Sequence, residues 1–239
     1  MKRANIRVFA GVHHLGFPLL KIGVLASGRG SNFQAVADAV KSGRIKAEIT
    51  LLITDKPGAY ALERAREAGI EGFYLDPRDF HTKDAYFRKM AEEFKAKGVG
   101  LVLLAGFMRI VRKPLLDAFP WKVMNIHPAL LPSFPGLHGQ RQAADYGVKI
   151  SGCTVHFVDE GMDTGPVIIQ AAVPVRHDDT EESLSERILE YEHKIYPEAV
   201  RLFAEGRLEV SGKRVIVRGL STIGHNGALI SPSIEETQE

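Results

Sequence analysis

The sequence predicts an α/β protein: an open, mostly parallel twisted sheet with helices on both faces, Rossmann-like in plan, with antiparallel additions near the C-terminus. Three observations carry that prediction. Between Lys21 and Leu104, short apolar or β-branched runs alternate with segments of helical spacing, the pattern of βα units on a parallel sheet. Residues 99–104 contain no polar side chain, as expected of a strand covered on both faces. After Trp121 the alternation stops, and two strand-like runs lead into one long helix and a hairpin.

The elements follow in order. Residues 22–26 form a short apolar run, broken by Ser27-Gly28-Arg29-Gly30-Ser31-Asn32. Phe33, Val36, Ala37 and Val40 then recur at helical spacing. Residues 48–53 are the next β-branched run, and 59–68 a helix ended by Gly69, a residue type that accepts the left-handed C′ position. Residues 73–75 are a third short strand; 83–97 an amphipathic helix stopped by Gly98; 99–104 the fully covered strand. Residues 123–125 read as a strand end and 128–139 as a Pro/Gly-rich loop. Strands at 150–158 and 167–175 precede a helix over 181–205, ended by Gly206, and a hairpin over 207–217 turning at Gly212. Residues 220–239 mix Gly, Ser, Pro and Glu without a period and read as a disordered tail. The expected organisation is an extension at 1–20, one domain at 21–218 and a tail at 219–239.

Composition narrows the partners. With 31 Lys and Arg against 29 Asp and Glu, the net charge is +2, which leaves no electrostatic footprint for nonspecific nucleic-acid binding. Cys153 is the single cysteine, so no intrachain disulfide is possible. No apolar run approaches the ~20 residues that span a membrane. The first 20 residues match a secretory signal poorly, since His13, His14 and Pro18 interrupt them. A cytoplasmic location is expected.

Two segments carry chemistry. The loop from Ser27 to Asn32 lies between a strand and a helix, where glycines admit an anion to backbone N–H groups at the positive end of the helix dipole. Ser31 or Asn32 could cap the helix or bind a phosphate oxygen, and a plain tight turn is the alternative. No Gly-Lys-Ser/Thr follows, so this is not a P-loop, and the third glycine of the dinucleotide fingerprint is missing. Asp55, in Asp55-Lys56-Pro57-Gly58, reads as a turn residue. The second segment is Asn125-Ile126-His127-Pro128. Residues two apart in a strand share a face, so Asn125 and His127 would point together from the carboxyl end of the sheet, where such folds bind ligands. An Asn amide donates to an oxyanion and a His donates a proton or stabilises the same charge. Asp163, in an acidic loop between two strands, could orient or charge that His. His156 ranks below His127, as a supporting or structural residue. His127, His138 and His156 are not spaced as a zinc site, Cys153 lacks a partner, and no G-x-S-x-G elbow offers a serine nucleophile.

With these residues in view, the chain resembles the phosphoribosylglycinamide formyltransferase family from about Lys21 to about Val217. The resemblance lies in Ala26-Ser27-Gly28 with Gly30-Ser31-Asn32, in Ala105-Gly106-Phe107-Met108-Arg109, in the block from Asn125 to Gly136, and in Val155-His156-Phe157-Val158 leading to Asp163-Thr164-Gly165-Pro166. It implies a formyltransferase fold with Asn125, His127 and Asp163 as catalytic trio. Gly30, Ser31 and Asn32 would hold the phosphate of glycinamide ribonucleotide, with Glu192 toward its ribose or amine. Met108, Arg109 and Ile110 would line the pocket for 10-formyltetrahydrofolate, the co-substrate, with Lys83 near the anionic folate tail. No metal, nucleic acid or membrane is implied, and the assembly would be a monomer or homodimer. Methionyl-tRNA formyltransferase is a rival, but the ~20 residues after Gly219 are too few for its RNA-binding domain. Formyltetrahydrofolate hydrolase, with an N-terminal regulatory domain, and a non-enzymatic nucleotide-binding module are the others.

Overall fold

The computed structural model of the protein describes residues 6–7, 19–219 and 229–231. Most of the expected extension and tail therefore lies outside the described residues. From within them, β1 (Ile6–Arg7) and, at the far end, a strand over Leu229–Ser231 both join the sheet.

The chain continues through β2 (Leu20–Leu25), α1 (Ser31–Lys41), β3 (Ala47–Thr54), α2 (Tyr60–Glu67), β4 (Gly72–Tyr74), α3 (Lys83–Ala96), β5 (Leu101–Leu104) and α4 (Lys113–Ala118). Then come β6 (Val123–His127), α5 (Gly139–Tyr146), β7 (Ile150–Phe157), β8 (Val167–Pro174), α6 (Glu181–Ala204), β9 (Leu208–Ser211), β10 (Arg214–Val217) and β11 (Leu229–Ser231). All form one sheet in the order β1-β9-β10-β8-β7-β6-β5-β2-β3-β4, with β11 pairing β8. The block β6-β5-β2-β3-β4 is parallel, and β7 and β8 add antiparallel beyond β6. This is the fold class expected from the alternation of runs.

Burial explains why. In β5, Leu101 and Leu103 enter one core while Val102 and Leu104 enter the other, so the strand has no polar side. One core holds α1, α2, α5 and α6; the opposite core holds α3 and α4. Gly23 in β2 lets α3 come close, because a Cβ there would stand 2.4 Å from the Phe94 ring. α6 begins with a reciprocal capping box between Thr180 and Ser183. The buried Tyr196 hydroxyl on α6 bonds the carbonyls of Leu104 and Met124, each at 3.1 Å, and so ties the helix to the ends of β5 and β6.

The structure adds what the pattern left out. α4, a 3₁₀ turn at Pro77–Asp79 and α5 fall in stretches with no assigned element, and β6 runs on to His127. Of the two uses open to Ser31 and Asn32, capping α1 or binding a phosphate oxygen, capping is not taken up. Gly30 holds the N-cap position in the left-handed region at φ 71°, and no side chain caps the helix.

Candidate active site

The strand β6 delivers Asn125 and His127 to one side, and its antiparallel partner β7 sets His156 opposite Asn125. The Asn125 Nδ2 lies 3.1 Å from His156 Nε2, and His156 Nδ1 lies 2.9 Å from the Phe157 carbonyl. A carbonyl only accepts, so His156 donates through Nδ1 and its Nε2 lone pair accepts one Asn125 N–H. Burial lowers the basicity of His156, in keeping with a neutral ring in this place. The second amide N–H of Asn125 is left over.

The same reasoning assigns His127. Its Nε2 is 2.9 Å from the Phe134 carbonyl and must donate to it. Its Nδ1 faces Asp163 Oδ2 at 3.5 Å, and the other Asp163 oxygen lies 3.7 Å from His156 Nε2. Nδ1 is therefore the nitrogen free to take up and release a proton, and a carboxylate stands beside it to stabilise the imidazolium.

Asp163 reaches this position through a constrained loop. Its φ is 53°, in the left-handed region, which Asp and Asn tolerate better than most residues. The Gly136 N–H donates to Asp163 Oδ2 at 2.7 Å, linking the acidic loop to the Pro/Gly-rich loop. At Gly165 a Cβ would come within 1.7 Å of the Phe157 carbonyl, so only glycine lets the loop close against β7. The Pro/Gly-rich loop is itself pinned. Thr154 Oγ1 accepts from the Leu131 N–H at 3.1 Å and donates to the Ala129 carbonyl at 2.7 Å, and Gln170 Nε2 donates to the Leu131 carbonyl at 2.9 Å.

A second cluster forms where α1 meets α6. Asn32 Nδ2 donates to Glu192 Oε2 at 2.7 Å across 160 residues of sequence. Burial raises the pKa of Glu192, and the Asn32 bond offsets part of that. Asn32 Oδ1 is buried without a partner. Beside this cluster, the Ser27 Oγ accepts the Met108 N–H at 2.9 Å, which carries the segment after β5 past the loop after β2. Met108 and Ile110 leave large apolar side chains exposed there.

Of the residues singled out from sequence, the structure gathers Asn125, His127, Asp163 and His156 into one cluster, and Asn32 with Glu192 into a second. Gly30 at the N-cap and Ser31 as the first residue of α1 lie beside the second cluster. Lys83 opens α3, is exposed, and is not tied by any contact to these clusters among the described residues. Asp55 opens the expected turn over residues 55–58, and it is also buried, with its Oδ2 accepting from Arg109 Nε at 2.7 Å. The Phe134 carbonyl and Gly136 N–H were missed, since a backbone group has no sequence signature. Among the described residues, no group of three or more His, Cys, Asp or Glu is arranged to hold a metal ion, and no helix is long and apolar enough to cross a membrane.

The polar cluster at the carboxyl end of a Rossmann-like sheet belongs with group-transfer enzymes, and known proteins sharpen the class. The formyl transferase family profile matches residues 20–200, and the chain belongs to that family. Within it the chain is similar to phosphoribosylglycinamide formyltransferases. That of Bacillus subtilis is 44% identical over 76% of this chain and 93% of its own length. That of Escherichia coli is 43% identical over 80% and 90%. Among solved structures, glycinamide ribonucleotide transformylase 1 from Symbiobacterium toebii is 53% identical with a TM-score of 0.84, over 86% of this chain and 98% of that one. The chain also matches the trifunctional purine biosynthetic protein adenosine-3 of Drosophila melanogaster at 45% identity, but spans 14% of that protein's length.

Proposed function

We propose that the chain transfers the formyl group of 10-formyltetrahydrofolate to the amine of glycinamide ribonucleotide, a step of purine biosynthesis. The observation that carries this is the convergence of Asn125, His127 and Asp163, with the carboxylate within 3.5 Å of His127 Nδ1. The bacterial relatives, matched over nine-tenths of their length or more, bear the corresponding name.

The chemistry follows from the groups. The acceptor amine attacks the formyl carbon and a tetrahedral intermediate forms with negative charge on the formyl oxygen. The spare Asn125 N–H and a proton on His127 Nδ1 stabilise that oxygen. Asp163 holds the imidazolium by opposite charge and, through water, passes a proton from the attacking amine to the departing folate nitrogen. No acyl-enzyme is needed. The loop at Gly30, Ser31 and Asn32 takes the ribonucleotide phosphate, and Glu192 its ribose or amine side. Met108, Arg109 and Ile110 take the folate, with Lys83 toward its anionic tail.

The test is to follow conversion of 10-formyltetrahydrofolate by absorbance with and without glycinamide ribonucleotide. Conversion that requires the ribonucleotide is the expected result. Conversion without it would make the enzyme a hydrolase, and none in either case would overturn the assignment.

A further inference from the structure

The loop between β2 and α1 is held from behind by α2. The Ala61 N–H donates to the Gly28 carbonyl at 3.1 Å, and Arg64 Nε donates to the Arg29 carbonyl at 2.9 Å. In a trans peptide the C=O and the following N–H point to opposite sides. Anchoring these carbonyls on α2 therefore turns the N–H groups of Arg29 and Gly30 away from it. Among the described residues, neither they nor the first-turn N–H groups of Ser31 and Asn32 have an acceptor. Gly30 is also where α2 comes closest: a Cβ there would stand 2.8 Å from that of Ala61.

Arg64 differs from the other arginines that the fold holds in place. Arg109, Arg187 and Arg201 each spend their guanidinium on a carboxylate. Arg64 spends Nε on a backbone carbonyl and Nη1 on Gln34 Oε1 at 3.2 Å, and lies over the Tyr60 ring at 5.1 Å. Both hydrogen-bond acceptors are neutral. Among the described residues it has no carboxylate at ion-pair distance, and its Nη2 is unspent. Its charge reaches α6, where His193 is made less basic by burial first and by Arg64 second. His193 Nε2 and, on α1, Asn32 Oδ1 are both buried without partners, and Asn32 is nine-tenths buried. A row of free N–H groups, a fixed cation with no counter-ion and unpaired buried polar atoms on two flanking helices suit a doubly charged phosphate monoester.

We propose that Arg64 is a binding residue for the phosphate of the acceptor, supplying from α2 the positive charge that a loop of backbone N–H groups lacks. This rests on the proposed use of the loop for the ribonucleotide. In a P-loop that charge comes from a lysine within the motif; here it arrives from 35 residues downstream of Arg29.

Arg64→Gln is expected to raise the KM for glycinamide ribonucleotide by about ten- to hundredfold, the order of the attraction between a fixed cation and a phosphate dianion across a protein surface. The KM for the formyl donor should stay within about twofold of wild type on the same grounds. Arg64→Lys, which keeps the charge without the planar fork, should recover part of the loss. The discriminating comparison is with glycinamide ribonucleoside, which lacks the phosphate. A loss confined to the phosphorylated acceptor supports the assignment. Equal loss for both, or no change for either, would mean that Arg64 only props the loop. Calorimetry with ribose 5-phosphate, on wild type and Arg64→Lys as well as Arg64→Gln, reads the same contact without turnover. Arg64-dependent binding of the sugar phosphate by a protein that forms no product would sink the formyl-transfer reading and leave this one standing. Binding indifferent to Arg64 would overturn this one alone.

Discussion

The two polar clusters of this molecule are built on opposite plans. Around Asn125, His127, His156 and Asp163 the framework is fixed within the protein, with ring nitrogens bonded to carbonyls, one amide N–H to a ring and one carboxylate oxygen to a backbone N–H, so that the remaining groups are held in place. Where β2 leads into α1, the N–H groups of Arg29, Gly30, Ser31 and Asn32 and the Asn32 Oδ1 are left unpaired among the described residues. A site that stabilises charge appearing only during reaction gains from dipoles fixed beforehand, since nothing must reorganise in the transition state. A site that binds a permanent anion keeps its donors vacant for the ligand. Substitution in the first cluster should therefore act on kcat, and in the second on KM.

The sharpest way to break that contrast is Asp163→Asn. Asn tolerates the left-handed φ of 53° as Asp does, and its carbonyl oxygen can still accept from the Gly136 N–H, so the variant removes charge and spares the loop. Loss of about 10²- to 10⁴-fold in kcat is expected from a missing proton relay, with the KM for ribonucleotide little changed. Steady-state kinetics at saturating donor would decide it, and a near-normal kcat would remove Asp163 from the catalytic role.

Gly30→Ala probes the other cluster. It forces a side chain into φ 71° and sets a Cβ 2.8 Å from that of Ala61, so α2 and the loop must separate. The left-handed conformation alone costs roughly 1–2 kcal/mol. Chemical denaturation should show at least that loss, and kinetics at saturating ribonucleotide should show a raised KM with kcat largely retained. A kcat effect as large as that of Asp163→Asn would erase the distinction between the two regions.

Much of this was legible in the sequence, for identifiable reasons. The covered strand β5 shows as an unbroken apolar run because both its faces enter cores. Asn125 and His127 are legible because strand period alone places them together. The turn at Asp55-Lys56-Pro57-Gly58 is legible as a strong local signal, whereas the pairing of Asp55 with Arg109, 54 residues away, is not. α4 and α5 escaped because they are 6 and 8 residues long, and α5 opens on the poor helix former Gly139. His156 was ranked low because its bond to Asn125 depends on the pairing of β6 with β7, 31 residues apart, which periodicity does not encode. Arg64 gave no signal, since an arginine late in an amphipathic helix is the ordinary solvated case. Local order is written in periodicity, whereas a site assembled across sheet, loop and helix depends on contacts that periodicity does not encode.

The smallest expected effect concerns Glu192, and it sharpens the view of the binding cluster as a place that holds unmet polar demand. Burial raises the pKa of this carboxyl above its ordinary value. A raised pKa in the folded state means that the folded protein holds the proton more tightly than the unfolded chain. The stability from this group is thus complete below its unfolded pKa and is lost as pH rises through the folded one. Glu192→Gln keeps an acceptor for Asn32 Nδ2 and cannot ionise, so it should melt higher than wild type at neutral pH. The advantage should shrink as pH falls toward the ordinary glutamate range and vanish below it. Melting curves of both proteins across that interval provide the check. A difference that is constant with pH would show that Glu192 is no more costly to ionise in the fold than in the open chain. With ribonucleotide bound, the advantage of Gln at neutral pH should narrow or reverse, because the ligand would then supply the partners that the ionised carboxylate lacks.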